Sequence, residues 1–278
     1  DAFLKRHAAT VRALATYTAW GADAKLMDAL PKLGLISHFG VGYDSIDVAA
    51  AKQRNAMVTN TPDVLNDCVA DTAMSLVLNV MRQFPRSENW LRAGKWHAVI
   101  GYPLTVSLGG KTLGILGLGR IGEVIAKRAQ AFGMKIAYHN RNQKDVPYAY
   151  YADAVALAKN CTVLLIATPG GAETMNLVNA KVLDALGPRG FVVNIARGSV
   201  IDEPVLIKYL RENRIAGAGL DVFVKEPQVP PEFFALENAV IYPHVGSGTV
   251  ETRTAMGDLQ LENLRLYFAG KPVKTRVV

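Results

Sequence analysis

Cysteine is scarce in this chain of 278 residues, which contains only Cys68 and Cys161. A disulfide framework or a cysteine-based metal site needs more cysteines than this, so we expect no metal and interpret both residues as buried thiols. No apolar run reaches the length of about 18 residues that a membrane span requires. The N-terminal residues also lack the long apolar stretch of a signal peptide. Together these absences favour a cytoplasmic protein.

Long runs of like charge are absent as well. The formal net charge is +7, yet no run of basic residues is longer than two. A nucleic-acid partner would require a basic patch or stripe, so we expect none. Two interpretations of the positive charge stay open: ordinary solvated surface, or a field that attracts an anionic substrate and cofactor.

Short apolar runs alternate with helical patterns along most of the chain. The first predicted strands lie at 11–17, 33–39 and 56–62. A second series begins at 112–119, a strand that runs into a glycine turn, and continues at 134–140, 162–169, 191–197, 216–223 and 239–244. Predicted helices lie at 23–30, 46–54, 64–93, 121–132, 203–213 and about 250–268, with Pro85 able to kink or split the third. Such alternation predicts parallel βαβ units and an α/β fold.

A glycine-rich turn follows the first strand of the second series. Gly117, Gly119 and Gly122 form a GxGxxG pattern between a predicted strand and a predicted helix, which is the context that gives the pattern meaning. The first glycine permits a tight turn, the second lets the backbone approach a pyrophosphate, and the third lets helix and strand pack closely. The pattern therefore predicts a dinucleotide site, with a purely structural turn as the alternative.

The next strand ends in Asn140 and Arg141, where an NAD site usually carries an acidic residue. A carboxylate would repel a 2′-phosphate, whereas an arginine can bind one through two hydrogen bonds. We therefore predict an NADP pocket at these two residues, with NAD still possible. The nearby Asp145 complicates this interpretation, and an ordinary surface arginine is the alternative.

Polar residues follow three later strands, and Arg197, Glu226 and His244 lie among them. Ligands in an open α/β sheet bind beyond the carboxyl ends of the strands, so these side chains are expected in one cleft. Reduction of a keto acid needs such a set: a cation for the carboxylate or carbonyl, a proton donor, and a carboxylate that keeps the donor charged. Taken singly, each residue has an ordinary structural interpretation.

With these segments in place, the chain resembles the D-isomer-specific 2-hydroxyacid dehydrogenases. The resemblance extends over essentially the whole chain and rests on GLGRIG, NIARGSVIDE, GLDVFVKEP and YPHVGSGT, together with FGVGYDSID and NTPDVL near the N-terminus. Within the family, NTPDVL and the non-acidic strand end YHNR look most like glyoxylate/hydroxypyruvate reductases. The resemblance implies NADPH-dependent reduction of a small anionic 2-keto acid.

The resemblance also implies roles for individual residues. His244 would donate the proton, Glu226 would pair with it and favour its charged form, and Arg197 would bind the substrate carboxylate and help polarise the carbonyl. The backbone of Val41 and Gly42 would bind the same carboxylate. On the cofactor side, the implied residues are Thr168, Ile195 and Asp221 at the nicotinamide and the backbone near Arg120 and Ile121 at the pyrophosphate.

The implied architecture is two Rossmann-like or flavodoxin-like domains with parallel sheets and a cleft between them. The substrate domain would comprise 1–71 plus 251–278, and the dinucleotide-binding domain 72–250. The family's substrate domain normally begins with a strand and a helix before the strand at Val11, so we expect that these precede the present chain. Trp96, in an irregular stretch, is either an ordinary packing residue or part of a dimer arm; the resemblance favours the arm, which implies a homodimer.

Two other functions stay open at this point. One is an NAD-dependent dehydrogenase of another D-2-hydroxy acid, such as phosphoglycerate or lactate. The other is a dinucleotide-sensing corepressor, which this family also contains. A comparison of cofactors and substrates distinguishes the first from a glyoxylate/hydroxypyruvate reductase, and partner binding that depends on NAD(H) identifies the second.

Overall fold

The structure, a computed structural model, describes residues 2–17, 20–97 and 99–278. They form two compact units, a flanking unit made of Asp1–Asn66 with Ser247–Val278 and a central unit made of Asp67–Gly246. The predicted domain borders, 71/72 and 250/251, lie a few residues later along the chain than the observed ones. No helix among the described residues combines the length and the apolar composition needed to cross a bilayer.

The regular elements are as follows. The helices are α1 (Ala2–His7), α2 (Ala24–Asp28), α3 (Val48–Gln53), α4 (Asn66–Arg82), α5 (Phe84–Arg92), α6 (Arg120–Ala131), α7 (Ala154–Lys159), α8 (Ala180–Leu186), α9 (Glu203–Arg211) and α10 (Val250–Phe268). The strands are β1 (Ala13–Tyr17), β2 (Leu35–Phe39), β3 (Met57–Thr59), β4 (Thr112–Leu116), β5 (Lys135–His139), β6 (Ala149–Tyr150), β7 (Val163–Ile166), β8 (Phe191–Asn194), β9 (Gly217–Leu220) and β10 (Ala239–Ile241).

The flanking unit contains a parallel sheet in the order β1-β2-β3. Its short helices begin at aspartates whose side chains accept a backbone N–H of the first turn, Asp23 for α2 and Asp47 for α3. The C-terminal segment returns to this sheet, because the Val277 N–H donates to the Val58 carbonyl at 2.7 Å. The edge strand β3 is therefore covered by the chain's own tail.

The central unit contains a seven-stranded parallel sheet in the order β10-β9-β8-β7-β4-β5-β6. All four residues of β7 and all four of β8 are buried, as expected for strands covered on both faces. From β4 the chain continues outward in one direction through β5 and returns to β7 on the other side. The carboxyl ends of β4 and β7 thus form a topological switch point, where ligands of open α/β sheets bind.

The predicted α/β fold with parallel sheets is confirmed, and two details differ. The long helix predicted at 64–93 is two helices, α4 and α5, separated at Gln83 with a φ of +51° and followed by Pro85 in the first turn of α5. Proline at that position leaves no helical N–H unsatisfied, so a new helix can begin there. The elements α1, α7, α8 and β6 were not predicted.

Candidate active site

The turn after β4 uses two of its glycines for the protein's own packing. Gly117 has a φ of +101°, and a Cβ there would lie 2.8 Å from the Ala167 carbonyl carbon. A Cβ on Gly122 would lie 2.6 Å from the Gly117 oxygen. By contrast, a Cβ on Gly119 would meet no described atom within 4 Å. The open space above Gly119 fits a pyrophosphate, since nothing in the protein itself requires a glycine there.

Helix α6 begins directly after this turn, with Gly119 as its cap residue. Glycine brings no side-chain oxygen to the first turn, so the N–H groups near Arg120 and Ile121 are suited to binding an anion. The turn itself is held by Asn140, whose Oδ1 accepts the Leu118 N–H at 2.7 Å and whose Nδ2 donates to the Leu118 carbonyl at 3.2 Å. Asn140, predicted as part of the NADP pocket, therefore orders the glycine turn through its amide.

Arg141 lies on the surface at the end of β5. Its Nη1 donates to Glu173 Oε2 at 3.0 Å, and the two side chains are 85% and 81% exposed. Exposed pairs of this kind are worth only about 0–1 kcal/mol, so a phosphate can displace Glu173 at little cost. Lys144 is a second cation beside the turn, where it donates to the Leu118 carbonyl at 3.3 Å and pairs with Glu123.

Three loops carry the predicted chemical groups beyond the carboxyl ends of β8, β9 and β10. His244, after β10, approaches Glu226, after β9, with 2.6 Å between His244 Nδ1 and Glu226 Oε2. The two side chains are 33% and 32% exposed, so the pair is partly shielded and still accessible. The other Glu226 oxygen, Oε1, accepts the Phe223 N–H at 3.0 Å, which orients the carboxylate towards the histidine.

The electrostatic surroundings keep Glu226 ionised. Burial favours the neutral acid and raises the pKa of Glu226, but the hydrogen bonds from His244 and from the Phe223 N–H lower it. The charges of His244 and Arg197 act in the same direction as these bonds, and together they hold the pKa of Glu226 below its usual value. Glu226 is therefore suited to stabilise a protonated imidazole rather than to share its proton.

His244 adopts a left-handed backbone conformation, with a φ of +53°. Asp221 maintains it: the Asp221 carbonyl accepts the His244 N–H at 2.9 Å, and its carboxylate accepts the N–H groups of Val245 and Gly246 at 2.7 and 2.8 Å. Asp221 is buried, which is the largest influence on its pKa and raises it, although the two N–H bonds oppose the rise. Asp221, predicted for the nicotinamide side, thus holds the loop that carries His244.

Arg197 is positioned by its neighbours in the loop after β8. The buried Asn194 donates to the Arg197 carbonyl at 2.8 Å and accepts the Ala196 N–H at 3.0 Å. A Cβ on the adjacent Gly198 would lie 2.0 Å from the Phe223 carbonyl carbon. Only glycine permits this approach, which brings the Arg197 loop against the loop that carries Glu226.

Thr168 and Ile195 lie at the ends of the neighbouring strands β7 and β8. Thr168 Oγ1 is buried and has no hydrogen-bond partner among the described residues. A buried hydroxyl without a partner is costly, and it is expected where a bound ligand completes the bonding. This position beside the switch point fits the amide end of a nicotinamide, so the residues present suit the cofactor that the glycine turn predicts.

The two remaining predicted residues, Val41 and Gly42, belong to the flanking unit. They follow β2 in a partly exposed loop, and among the described residues nothing accepts a hydrogen bond from their N–H groups. Two successive free N–H groups are suited to binding a carboxylate. Binding of the substrate carboxylate by these two N–H groups stays a prediction.

Sequence reasoning missed several supporting residues. Asn194 and Gly198 are part of the NIARGSVIDE motif but received no role, and Glu203 was noted only as the last residue of that motif. The Glu203 carboxylate accepts the Val224 N–H at 3.1 Å, and burial raises its pKa. The available signals were a glycine directly after Arg197 and an acidic residue, Glu203, at the start of a helix. Neither signal indicates which loop the residue contacts.

Comparisons with known proteins extend over nearly the whole chain. The family model described as D-isomer specific 2-hydroxyacid dehydrogenase, NAD binding domain, matches residues 74–246. A hydroxyphenylpyruvate reductase from Plectranthus scutellarioides is 48% identical over 277 residues, which cover 99% of this chain and 88% of that protein. A glyoxylate/hydroxypyruvate reductase from Arabidopsis thaliana is 48% identical over 276 residues, with the same two coverages of 99% and 88%.

A solved structure gives the same result in three dimensions. The NADPH-dependent glyoxylate/hydroxypyruvate reductase of Sinorhizobium meliloti, in complex with NADP and malonate, matches with a TM-score of 0.92 and 45% identity. The match covers 96% of this chain and 84% of that one. The likeness therefore includes the flanking unit as well as the glycine turn and the strand-end loops.

Proposed function

The chain belongs to the D-isomer-specific 2-hydroxyacid dehydrogenases, and from this premise we propose that it reduces glyoxylate or hydroxypyruvate to the 2-hydroxy acid with NADPH. The observation that carries the proposal is the 2.6 Å pair of His244 and Glu226, with Arg197 close enough to influence Glu226. A histidine, its carboxylate partner and a guanidinium lie in the loops that follow three neighbouring strands, β8, β9 and β10, of the sheet that bears the glycine turn.

Each residue of the proposed site has its own role in the reduction of the keto acid. When bound, NADPH supplies a hydride to the carbonyl carbon of the keto acid. His244 donates a proton to the carbonyl oxygen, and because its Nδ1 bonds to Glu226, the donated proton comes from Nε2. Arg197 binds the substrate carboxylate and polarises the carbonyl, and the N–H groups of Val41 and Gly42 bind the same carboxylate. Glu226 remains ionised throughout and stabilises the imidazolium.

A substrate panel tests the proposed reaction. Glyoxylate, hydroxypyruvate, pyruvate, phosphohydroxypyruvate and hydroxyphenylpyruvate are each assayed with NADPH and with NADH. We expect the highest kcat/KM for glyoxylate or hydroxypyruvate with NADPH. Hydroxyphenylpyruvate is included because a relative of 48% identity is named for it. The proposal would be contradicted if NADPH were oxidised with none of these acids. A clear preference for NADH would reassign the cofactor.

The cofactor preference is predicted to depend on Arg141. Arg141→Ala should weaken NADPH binding by roughly 1.5–3 kcal/mol, the range for a lost charge-assisted contact, and leave NADH almost unchanged. Glu173→Gln is the matched control, because it removes the partner of Arg141 in the free protein and retains the guanidinium. Binding titrations of both cofactors to both variants check this, and equal losses for NADPH and NADH in Arg141→Ala would refute it.

A homodimer is part of the same proposal. The stretch from 94 to 107, in which residue 98 lies outside the described residues, exposes Trp96, Val99, Ile100 and Leu104 to solvent. Exposed apolar clusters of this kind are typical of protein interfaces, and a two-fold dimer is the commonest assembly. Sedimentation at micromolar concentration should give a dimer and, for Trp96→Ser with Leu104→Ser, a larger monomer fraction. A wild-type monomer would contradict the proposal.

A cytoplasmic location is the remaining proposal. It is supported by Cys161, a free thiol whose desolvation raises its pKa to about 12 and so keeps it unreactive, although both cysteines are half-buried rather than fully buried as predicted. The inter-domain cleft also stays a prediction.

A further inference from the structure

The loop after β2 presents the backbone N–H groups of Val41 and Gly42, which the proposed function assigns to the substrate carboxylate. A loop can bind an anion tightly only if its N–H groups point in a fixed direction before the anion arrives. The hydrogen bonds that fix this loop come from the segment after β3, residues 60 and 61. These two residues have no role in the proposed function.

Asn60 controls the orientation of one peptide group in this loop. Its Nδ2 donates to the Val41 carbonyl at 3.0 Å. The carbonyl of Val41 and the N–H of Gly42 belong to the same trans peptide plane, so they point in opposite directions. Holding the Val41 oxygen therefore turns the Gly42 N–H away from Asn60 and leaves it available to a ligand.

Thr61 holds the start of the same loop. Its Oγ1 accepts the Gly40 N–H at 3.0 Å, and its own N–H donates to the Gly40 carbonyl at 3.0 Å. Both groups of Gly40 are thus occupied, and Thr61 is fully buried. Gly40 is fixed as part of the fold, whereas the peptide between Val41 and Gly42 depends on the Asn60 side chain.

Asn60 is itself anchored by the C-terminal segment. Thr275 Oγ1 donates to the Asn60 carbonyl at 2.6 Å, and the Asn60 N–H donates to the Thr275 carbonyl at 3.3 Å. The buried Asn263 of α10 in turn donates to Thr275 Oγ1 at 2.8 Å and accepts the Lys274 N–H at 2.9 Å. A continuous set of hydrogen bonds thus connects α10, the C-terminal segment, Asn60 and the loop.

We propose that Asn60 is a positioning residue for the substrate carboxylate, acting through the Val41 carbonyl to aim the Gly42 N–H, with Thr275 as its anchor. The proposal rests on the proposed function, because it concerns the loop that this function assigns to the carboxylate. It assigns a chemical role to the NTP segment, whose asparagine donates a bond that no apolar or acidic residue of similar size can donate.

The test is Asn60→Ala in the full chain with NADPH bound. We expect KM for glyoxylate to rise about 5- to 50-fold, the scale of one misdirected hydrogen bond to a charged group. The dissociation constant of oxalate, an unreactive anion, should rise with it. The dissociation constant of NADPH should stay within about two-fold, and kcat should fall less than KM rises, because the proton donor is unaltered.

Asn238→Ala is the matched control. Asn238 Nδ2 also donates to a backbone carbonyl, that of Leu210, at 3.1 Å, and the bond is partly buried in the central unit. Asn238→Ala should lower the free energy of unfolding about as much as Asn60→Ala does, without raising KM for glyoxylate. If Asn60→Ala fails to fold, Asn60→Asp retains the shape but cannot donate to Val41, and Thr275→Val removes the anchor; both should raise KM.

The outcomes are distinguishable. A raised KM and weaker oxalate binding in Asn60→Ala alone support the proposal. An active wild type whose KM is unchanged in Asn60→Ala, or raised equally in Asn238→Ala, overturns this inference and leaves the proposed function intact. A wild type that reduces no keto acid overturns both.

Discussion

Replacing His244 with alanine is expected to lower kcat for keto acid reduction by about 10²- to 10⁴-fold, the usual contribution of a general acid. A carbonyl that receives a hydride becomes an alkoxide, and it needs a proton at the same moment. In this site His244 is the proposed proton donor, oriented through Nδ1 by Glu226 at 2.6 Å. Without the imidazole, water has to supply the proton from an unfixed position.

The dissociation constant of NADPH should change by no more than about two-fold in the same variant, because a hydride donor held by the glycine turn does not need the histidine. The left-handed backbone at His244, with a φ of +53°, strains an alanine, so His244→Asn is the better-folded companion. Asparagine tolerates this conformation and cannot act as an acid. His7→Ala, which removes a partly buried histidine of α1 outside the strand-end loops and outside the proposed dimer arm, is the control.

Steady-state kinetics with glyoxylate and saturating NADPH measure this effect. Both His244 variants should lose activity to a similar extent, while His7→Ala should behave as the wild type does. If His244→Asn had the kcat of the wild type and normal thermal stability, His244 would not be the proton donor.

The positions of the three chemical groups could be predicted from the sequence because parallel strands impose them. Strands buried on both faces read as continuous apolar runs, and the polar residues that follow lie at one edge of the sheet. Helix α10 was predicted at its observed bounds, since Thr249 caps its first turn and no proline interrupts it. The family was predicted from the motifs of these loops and is confirmed.

The short elements could not be predicted because their stability comes from the sheet rather than from local pattern. Helices α7 and α8 have six and seven residues, too few to establish a helical period in sequence. The two-residue strand β6 exists only as a partner of β5. Tertiary packing determines all three.

The hydrogen-bond partners of individual side chains could not be predicted from the sequence either. Arg141 pairs with a glutamate that is 32 residues later in the chain, and Asn140 uses its amide on the turn. Asn60 was noticed only as one letter of a family motif, because its partner Val41 lies 19 residues earlier. Hydrogen bonds between distant loops leave no periodicity in the sequence, so their direction has to be read from the structure.

The most direct test of the mechanism is kcat/KM against pH for the wild type and Glu226→Gln, with glyoxylate and saturating NADPH. Reduction requires the protonated imidazole, so kcat/KM falls as the pH rises. Because the pKa of Glu226 lies below its usual value, the wild-type carboxylate is ionised at neutral pH and above and supports that protonated form. Glutamine retains the size and the acceptor for the Phe223 N–H but carries no charge. The fall should therefore occur at lower pH in Glu226→Gln, because the protonated imidazole has lost the charge that stabilises it. Profiles that overlay would show that Glu226 is not the partner of His244 in catalysis.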